Sequence, residues 1–288
     1  MSDRPSIRTQ ILILTLFGEY VVPRGGSAWT ASLLRLLDLL GVSERAARST
    51  LSRMSQKGWL ESRRNGRHSR YEITAHGLRI VSGAKVRIFE PRRGDWDGNW
   101  HLIVYSIPEG KRRSRSRLRT RLGWLGFGRL APGTWVSPTD RRTEVEADLD
   151  DLGARPYAVY FSGSRLESMR SEEIVSRCWD LKALNRDYVR FLKRYEPAYA
   201  EAQAAFQRGR PLPAAECFRR RFWLTLEYSQ FPRRDPNLPA SLLPPDWLGT
   251  RAAEVFRAYH DLLRDSSEAF MTDVLGLDPA AKLRTGTE

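Results

Sequence analysis

The chain has 288 residues, 41% of them hydrophobic and 28% charged, with a formal net charge of +14. That length sets an expectation of about two domains, three if each is compact, and the composition excludes a disordered chain. The longest apolar run, 11–17, is stopped by Glu19; it falls far short of the ~20 residues that span a bilayer, and no small-residue cleavage site follows it closely, so a cytoplasmic protein with no membrane partner is expected.

In chain order, 5–20 reads as a first helix with Ile7, Ile11, Leu14 and Phe17 on one face. Pro23-Arg24-Gly25-Gly26 makes a turn. Thr30 is placed to cap a second helix through Leu40, with Leu33, Leu34, Leu37 and Leu40 as its apolar stripe and Gly41 as its stop. Ser43 caps a third helix that runs to about Lys57 and ends at Gly58. Strands over 59–64 and 69–74 are joined by Asn65-Gly66, the strongest short hairpin signal because both centres of a type I′ turn need positive φ. Helix, helix, turn, helix and basic hairpin is the layout of a winged helix-turn-helix. A further helix begins near Thr74, and 91–95 reads as a linker.

Trp100 opens a second unit. A strand over 101–107, a helix over 112–125 with Leu118, Leu122 and Leu125 inward, a strand over 134–137, a helix over 144–152 and a strand over 157–162 follow. This β-α-β-(β)-α-β order suggests a ferredoxin-like sandwich. From about Ser171 helical spacing dominates, with Trp179, Leu184, Tyr188, Phe191, Leu192 and Tyr195 three and four apart. Pro211-Leu212-Pro213 and Pro244-Pro245 separate further helices. The fold class is α+β, divided as 1–95 (winged helix-turn-helix), 96–168 (ferredoxin-like) and 169–288 (helical).

The positive charge is concentrated. Residues 1–98 carry 17 basic and 9 acidic side chains, and 99–142 carry 10 and 2, leaving the remainder close to neutral. A surplus of this kind favours a polyanionic partner. On the third helix Ala47, Leu51 and Met54 face inward, while Arg45, Arg48, Ser49, Ser52 and Gln56 fall opposite with Arg53 beside them. Such a face suits the major groove, where Arg donates two hydrogen bonds to guanine; taken alone it is also an ordinary solvated surface. Arg63, Arg64, Arg67 and Arg70 flank the hairpin turn with no acid between them, which strengthens the reading of a double-stranded DNA partner. Lys111, Arg112, Arg113, Arg115, Arg117, Arg119 and Arg121 form a denser cluster, able to track phosphates, contact a second subunit or simply face solvent.

Catalytic patterns are weak. The sequence has no GxSxG elbow, P-loop or HExxH, and Asp148, Asp150 and Asp151 read as a solvated helix face before they read as metal ligands. Cys178 and Cys217 are expected as reduced thiols. His68, His76, His101 and His260 are scattered, so no metal site or cofactor is expected.

Several separated segments resemble one family. They are Leu16-Phe17-Gly18-Glu19-Tyr20-Val21, Pro23-Arg24-Gly25-Gly26, Ser43-Glu44-Arg45-Ala46-Ala47-Arg48 and Gly58-Trp59-Leu60, then Trp100 with Tyr105-Ser106-Ile107-Pro108, and Trp124-Leu125-Gly126-Phe127-Gly128. Asp235-Pro236-Asn237-Leu238-Pro239 and Leu242-Leu243-Pro244-Pro245-Asp246-Trp247 complete the set. Together they resemble the PaaX family, the repressors of phenylacetate degradation. The resemblance implies a homodimer that binds operator DNA, represses catabolic genes and is released by an aryl-CoA thioester such as phenylacetyl-CoA. The middle or C-terminal domain is expected to hold the subunits together, and the C-terminal domain to hold the effector, at residues the resemblance does not name. There Arg219, Arg220 and Arg221 stand beside Trp223, with Tyr228 and Trp247 further on, offering cations for phosphates and aromatics for an aryl group; helix core with a solvated rim is the plainer reading. The middle domain resembles the small CRISPR-associated nuclease, which has Tyr-Asp where this chain has Tyr105-Ser106. Losing that carboxylate removes the obvious Mg²⁺ ligand. A metal-dependent nuclease and a DNA-binding or membrane-surface protein without an effector are the rival readings.

Overall fold

The computed structural model describes residues 8–66, 68–88, 94–232 and 234–276; Arg67 and Ile7 lie outside the described residues. The chain is mixed α+β with two antiparallel sheets. It forms two compact units, one of residues 1–89, 193–229 and 253–288, the other of 90–192 and 230–252. The C-terminal third, read from the sequence as one helical domain, is shared between them.

In the first unit α1 (Thr9–Leu16) passes into a π-turn over Phe17–Val21. Leu12, Ile13, Leu16, Phe17, Tyr20 and Val21 are buried, whereas Ile11 is 40% exposed. The inward face is therefore not the one the spacing suggests. The run is apolar at nearly every position, so no polar residue fixes its phase. β1 (Ser27–Trp29) leads into α2 (Thr30–Leu39). Thr30 is the first helical residue and not the cap; its Oγ1 lies 2.9 Å from Ser69 Oγ instead. Gly41 ends this helix with φ 84°, and Ser43 Oγ accepts the Ala46 N–H at 3.4 Å to start α3 (Glu44–Gln56).

β2 (Leu60–Asn65) and β3 (His68–Ile73) pair antiparallel, with β3 central between β1 and β2. Asn65 pairs with His68, so β2 runs through Asn65 and the turn opens at Gly66, one residue later than expected. Gly66 has φ 59°, a conformation glycine reaches without a Cβ clash. Thr74 Oγ1 then accepts the Gly77 N–H at 3.0 Å and donates to Gly58 O at 2.7 Å, fixing the start of α4 (Ala75–Ile88) against the end of α3.

This N-terminal segment shares one core with two C-terminal helices. Phe218, Phe222, Trp223 and Leu226 of α9 (Ala214–Tyr228) and Met271 and Val274 of α11 (Arg264–Gly276) pack with Leu12, Leu16, Leu33, Leu37 and Leu51. Ser32 Oγ donates to Val274 O at 2.7 Å. At the centre Arg221, with 5% of its side chain exposed, lies 3.3 Å from Glu19 Oε1 through Nη2. Its Nη1 donates to Glu268 Oε1 at 2.8 Å. Arg24 also pairs with Glu268, and His260 Nε2, from α10 (Gly249–Leu262), lies 3.1 Å from Glu19 Oε1. The guanidinium stands 5.4 Å from the centre of the Tyr20 ring.

The second unit holds β4 (Trp100–Tyr105), α5 (Arg112–Trp124), β5 (Gly128–Ala131), β6 (Thr134–Ser137), α6 (Arg142–Asp151) and β7 (Ala158–Ser164), in sheet order β5-β6-β4-β7. Leu118, Leu122, Val145 and Leu149 cover one face together with Ile103 and Trp135. The opposite face holds Trp100 and Val136 against Ile174 and Val175 of α7 (Ser171–Cys178) and against Leu181, Leu238 and Leu242. β5 comes so close to the end of α7 that a Cβ on Gly128 would lie 2.5 Å from Cys178 Cβ and from the Trp179 ring.

Replacing Arg221 by Ala strands the buried Glu19 carboxylate and leaves the part-exposed Glu268 to Arg24 alone, and a loss of about 3–5 kcal/mol is expected in equilibrium denaturation. For Glu268, burial raises the carboxyl pKa, but hydrogen bonds from Arg24 and Arg221 outweigh it and hold the value below the ordinary glutamate range. A lowered folded pKa adds stability that is present above the unfolded value, about 4.3, and disappears as pH falls through the folded one. Glu268→Gln is therefore less stable than wild type at pH 7, and the two proteins converge as pH drops below 4.3. A difference that persists unchanged in strong acid would exclude this ionic contribution.

Candidate nucleic-acid interface

The face of α3 forms because its buried stripe is narrow. Ala47, Thr50, Leu51 and Met54 point into the core, which turns Arg45, Arg48, Ser49, Ser52, Arg53 and Gln56 outward, all of them exposed. The helix begins at the exposed Ser43, so its first turn presents partial positive charge next to Arg45. Arg48 Nε donates to Glu44 Oε1 at 2.7 Å, an exposed i,i+4 pair that a stronger anion can displace. Arg53 Nη2 donates to Thr50 Oγ1 at 3.2 Å, which steadies it along the helix. Among the described residues Arg45 makes no ion pair. Thr50 was not anticipated as a core residue; a short polar side chain on the inward stripe carries no hydrophobic signal.

On the hairpin, Arg63 and Arg70 stand opposite each other across β2 and β3. Glu61 and Glu72, just outside the basic stretch, offset part of their repulsion: Arg63 lies 3.3 Å from Glu61 and 3.2 Å from Glu72. Arg64 is exposed and Arg70 half-buried. Arg45, Arg48 and Arg53 thus belong to one helix face, and Arg63, Arg64 and Arg70 to a separate ribbon of the same unit.

The basic helix α5 is different. Arg115 pairs with Glu109 at 2.6 Å, and Arg121 pairs with Asp148 at 2.7 Å and Asp151 at 2.6 Å. Arg112 lies 3.9 Å from Glu109 and Arg117 3.9 Å from Asp151. Among the described residues of this cluster, Arg113 and Arg119 alone lack an acidic or carbonyl partner, since Lys111 donates to Gly153 O at 3.2 Å. Much of the charge seen in the sequence is balanced within the unit. The acids of 148–151 serve those pairs and that of Asp150 with Arg155 at 2.5 Å.

The aromatic and cationic residues considered for an effector fall in several places. Arg219, Arg220 and Trp223 line a cleft of about 220 Å³ with Arg194, Glu216 and Tyr259. Both arginines are bound to Glu216, at 2.7 Å each, and Arg220 also donates to Tyr259 Oη at 3.3 Å. Arg221 is buried in the ionic cluster described above. Tyr228 stacks on Phe256 at 4.0 Å, and Trp247 belongs to the second unit, edge-on to Tyr188 at 5.3 Å. A larger cleft, about 610 Å³, opens in the second unit between α7, the first turn of α8 (Leu181–Gln207) and residues 241–245. It was missed in the sequence, although Trp179 and Pro244-Pro245, which interrupt the helices there, were visible.

Because Arg45 and Arg48 are exposed and hold no core contact, the Arg45→Ala/Arg48→Ala protein should keep wild-type stability to within about 0.5 kcal/mol in urea. A larger loss would give this face a structural role.

Three family models match the chain. Residues 8–77 match a PaaX-like protein, 93–175 the PaaX protein central Cas2-like domain, and 179–273 the PaaX-like protein C-terminal domain. The chain is similar to the transcriptional repressor PaaX of Escherichia coli (strain K12), at 30% identity over 91% of this chain and 82% of that protein. Among solved structures it is similar to the uncharacterized protein Rv0674 from Mycobacterium tuberculosis, with a TM-score of 0.58, 23% identity and coverage of 94% of this chain and 99% of that one. Matches that run in order from residue 8 to residue 273, joined to that 30% identity, show that the chain belongs to the PaaX family.

Proposed function

We propose that this chain is a DNA-binding transcriptional repressor, with residues 1–95 acting as a winged helix-turn-helix whose recognition helix is α3 and whose wing is the β2–β3 hairpin. The observation that carries the reading is the α3 face itself: exposed arginines and serines on a helix whose opposite side is locked into the core. A helix placed in the major groove can bring such residues to base edges, while wing arginines neutralise phosphates. Similarity to a repressor over most of both chains supports the same conclusion. The strand order of 100–164 supports a ferredoxin-like reading of the middle domain, and 169–288 completes the division as the helical part.

The protein acts as a homodimer on a two-half-site operator and is released by an aryl-CoA thioester. Val104, Val159 and Phe161 are 39%, 57% and 48% exposed; Val104 and Val159 are register partners and Phe161 pairs with Leu102. They form an apolar patch on the edge strand β7 and its neighbour β4, which supports a subunit contact there. Cleavage has less support. Ser106 supplies no carboxylate, and the Tyr105 hydroxyl accepts a hydrogen bond from Trp135 Nε1 at 3.2 Å. A cytoplasmic location accords with DNA as the partner.

Gel-shift titration tests the reading. Arg48→Ala should weaken binding to the specific operator by about 1–3 kcal/mol while leaving non-specific DNA binding nearly unchanged. Arg64→Ala or Arg67→Ala should weaken all sequences alike and reduce the salt slope by about 1. Unchanged operator affinity in Arg45→Ala/Arg48→Ala would remove α3 from the interface.

A further inference from the structure

The second unit contains a cleft of about 610 Å³, lined by α7, the start of α8 and residues 241–245. Its walls are largely apolar: Val175, Trp179, Leu242, Leu243 and Pro244. Trp179 is held as a wall on two sides. Its ring stacks on Trp100 at 6.4 Å, and β5 presses against it through Gly128, where any side chain would collide. Arg177 and Lys182 stand at the rim, both exposed, and among the described residues neither has an ion pair. Of the two acids at the rim, Asp180 is committed to the Ala183 N–H at 2.9 Å, capping α8; Glu172 lies on the first turn of α7. The half-buried Cys178 thiol has its pKa pushed up to about 11 by burial, so it lines the cleft as a neutral group.

We infer that this cleft is the effector site, taking an aromatic acyl head against Trp179, Leu242 and Leu243 while Arg177 and Lys182 receive the anionic tail. The ligand class rests on the effector reading given above; the location rests on the geometry. Size separates the two clefts. Small-molecule sites run from about 300 to 1,000 Å³, which admits the 610 Å³ cleft and excludes the 220 Å³ one beside Arg219 and Arg220. Charge separates them as well, because those two arginines are bound to Glu216, whereas Arg177 and Lys182 have charge to offer.

The test uses the full-length protein with phenylacetyl-CoA, phenylacetate and CoA as separate probes, measuring direct binding by calorimetry and release of bound operator. Ser241→Trp fills the cleft from an exposed position, and Ser176→Phe does so from the α7 wall. Arg177→Ala/Lys182→Ala removes the rim charge, and Arg219→Ala reports on the smaller cleft. Wild type should bind the thioester and let go of DNA. Either filling variant should bind it at least tenfold more weakly yet hold operator as wild type does without ligand. The rim variant should lose several-fold in affinity for the thioester, and Arg219→Ala should lose none. If a folded filling variant binds the thioester with wild-type affinity, the site lies elsewhere and the effector reading survives. If wild type holds operator but binds no thioester, both the effector reading and this assignment fail.

Discussion

Arg221 sets the register of the first unit. Its guanidinium reaches Glu19, in the π-turn near the start of the chain, and Glu268, near the end of the described residues. Each carboxylate has a second partner at hand, the His260 imidazole for Glu19 and the Arg24 guanidinium for Glu268. Such a cluster adds little net stability compared with well-packed apolar residues, but a half-formed one is strongly unfavourable. Sliding α9 one way would put the apolar Phe222 where Arg221 now lies, leaving each carboxylate only its second partner, and sliding it the other way would pull Arg220 from Glu216 and Tyr259. The apolar core of leucines and phenylalanines around it would tolerate such a shift far better. The ionic cluster therefore decides which arrangement of α1, α9 and α11 is populated, and through the shared core it decides how α3 is presented.

The bounds of α2 and α3 were legible because their punctuation is local. Gly41, Ser43 and Gly58 bound α2 and α3 through backbone conformations and a capping hydroxyl that depend on a few neighbouring residues. The outward face of α3 was legible for a similar reason, since polar residues alternate with a clear apolar stripe. What failed depended on the rest of the chain. The inward face of α1 is chosen by α3 and by α9, the latter more than 190 residues away in sequence, and an almost uniformly apolar run cannot announce it. Thr30 looked like a cap because nothing nearby reveals that Ser69 will meet it. Glu19 gave only a hint, a single acid closing an apolar run, and its partners Arg221 and His260 are visible only once the chain has folded.

Charge was the more misleading signal in the middle of the chain. Seven basic residues in 111–121 imply a strongly positive surface. Folding brings Glu109, Asp148 and Asp151 against them, and most of the field is spent within the unit. The α3 arginines are fewer, yet all three keep free or easily exchanged charge on one face. Linear density of charge is a poor guide where an acidic helix returns alongside; exposure and partner count after folding decide what remains for a polyanion.

The contact between Gly128 and Trp179 also constrains how this part of the chain can change over generations. A methyl group at 128 has nowhere to go while the indole stays, and a smaller ring at 179 leaves a gap behind Trp100. A side chain at 128 meets both the ring and Cys178 Cβ, so glycine should be retained there whatever stands at 179, while 179 itself answers only to Trp100 and the cleft. Descendants that exchange the indole for a smaller side chain surrender the rigid wall of the neighbouring cleft and still meet Cys178 Cβ at 128, so the glycine outlasts the ring.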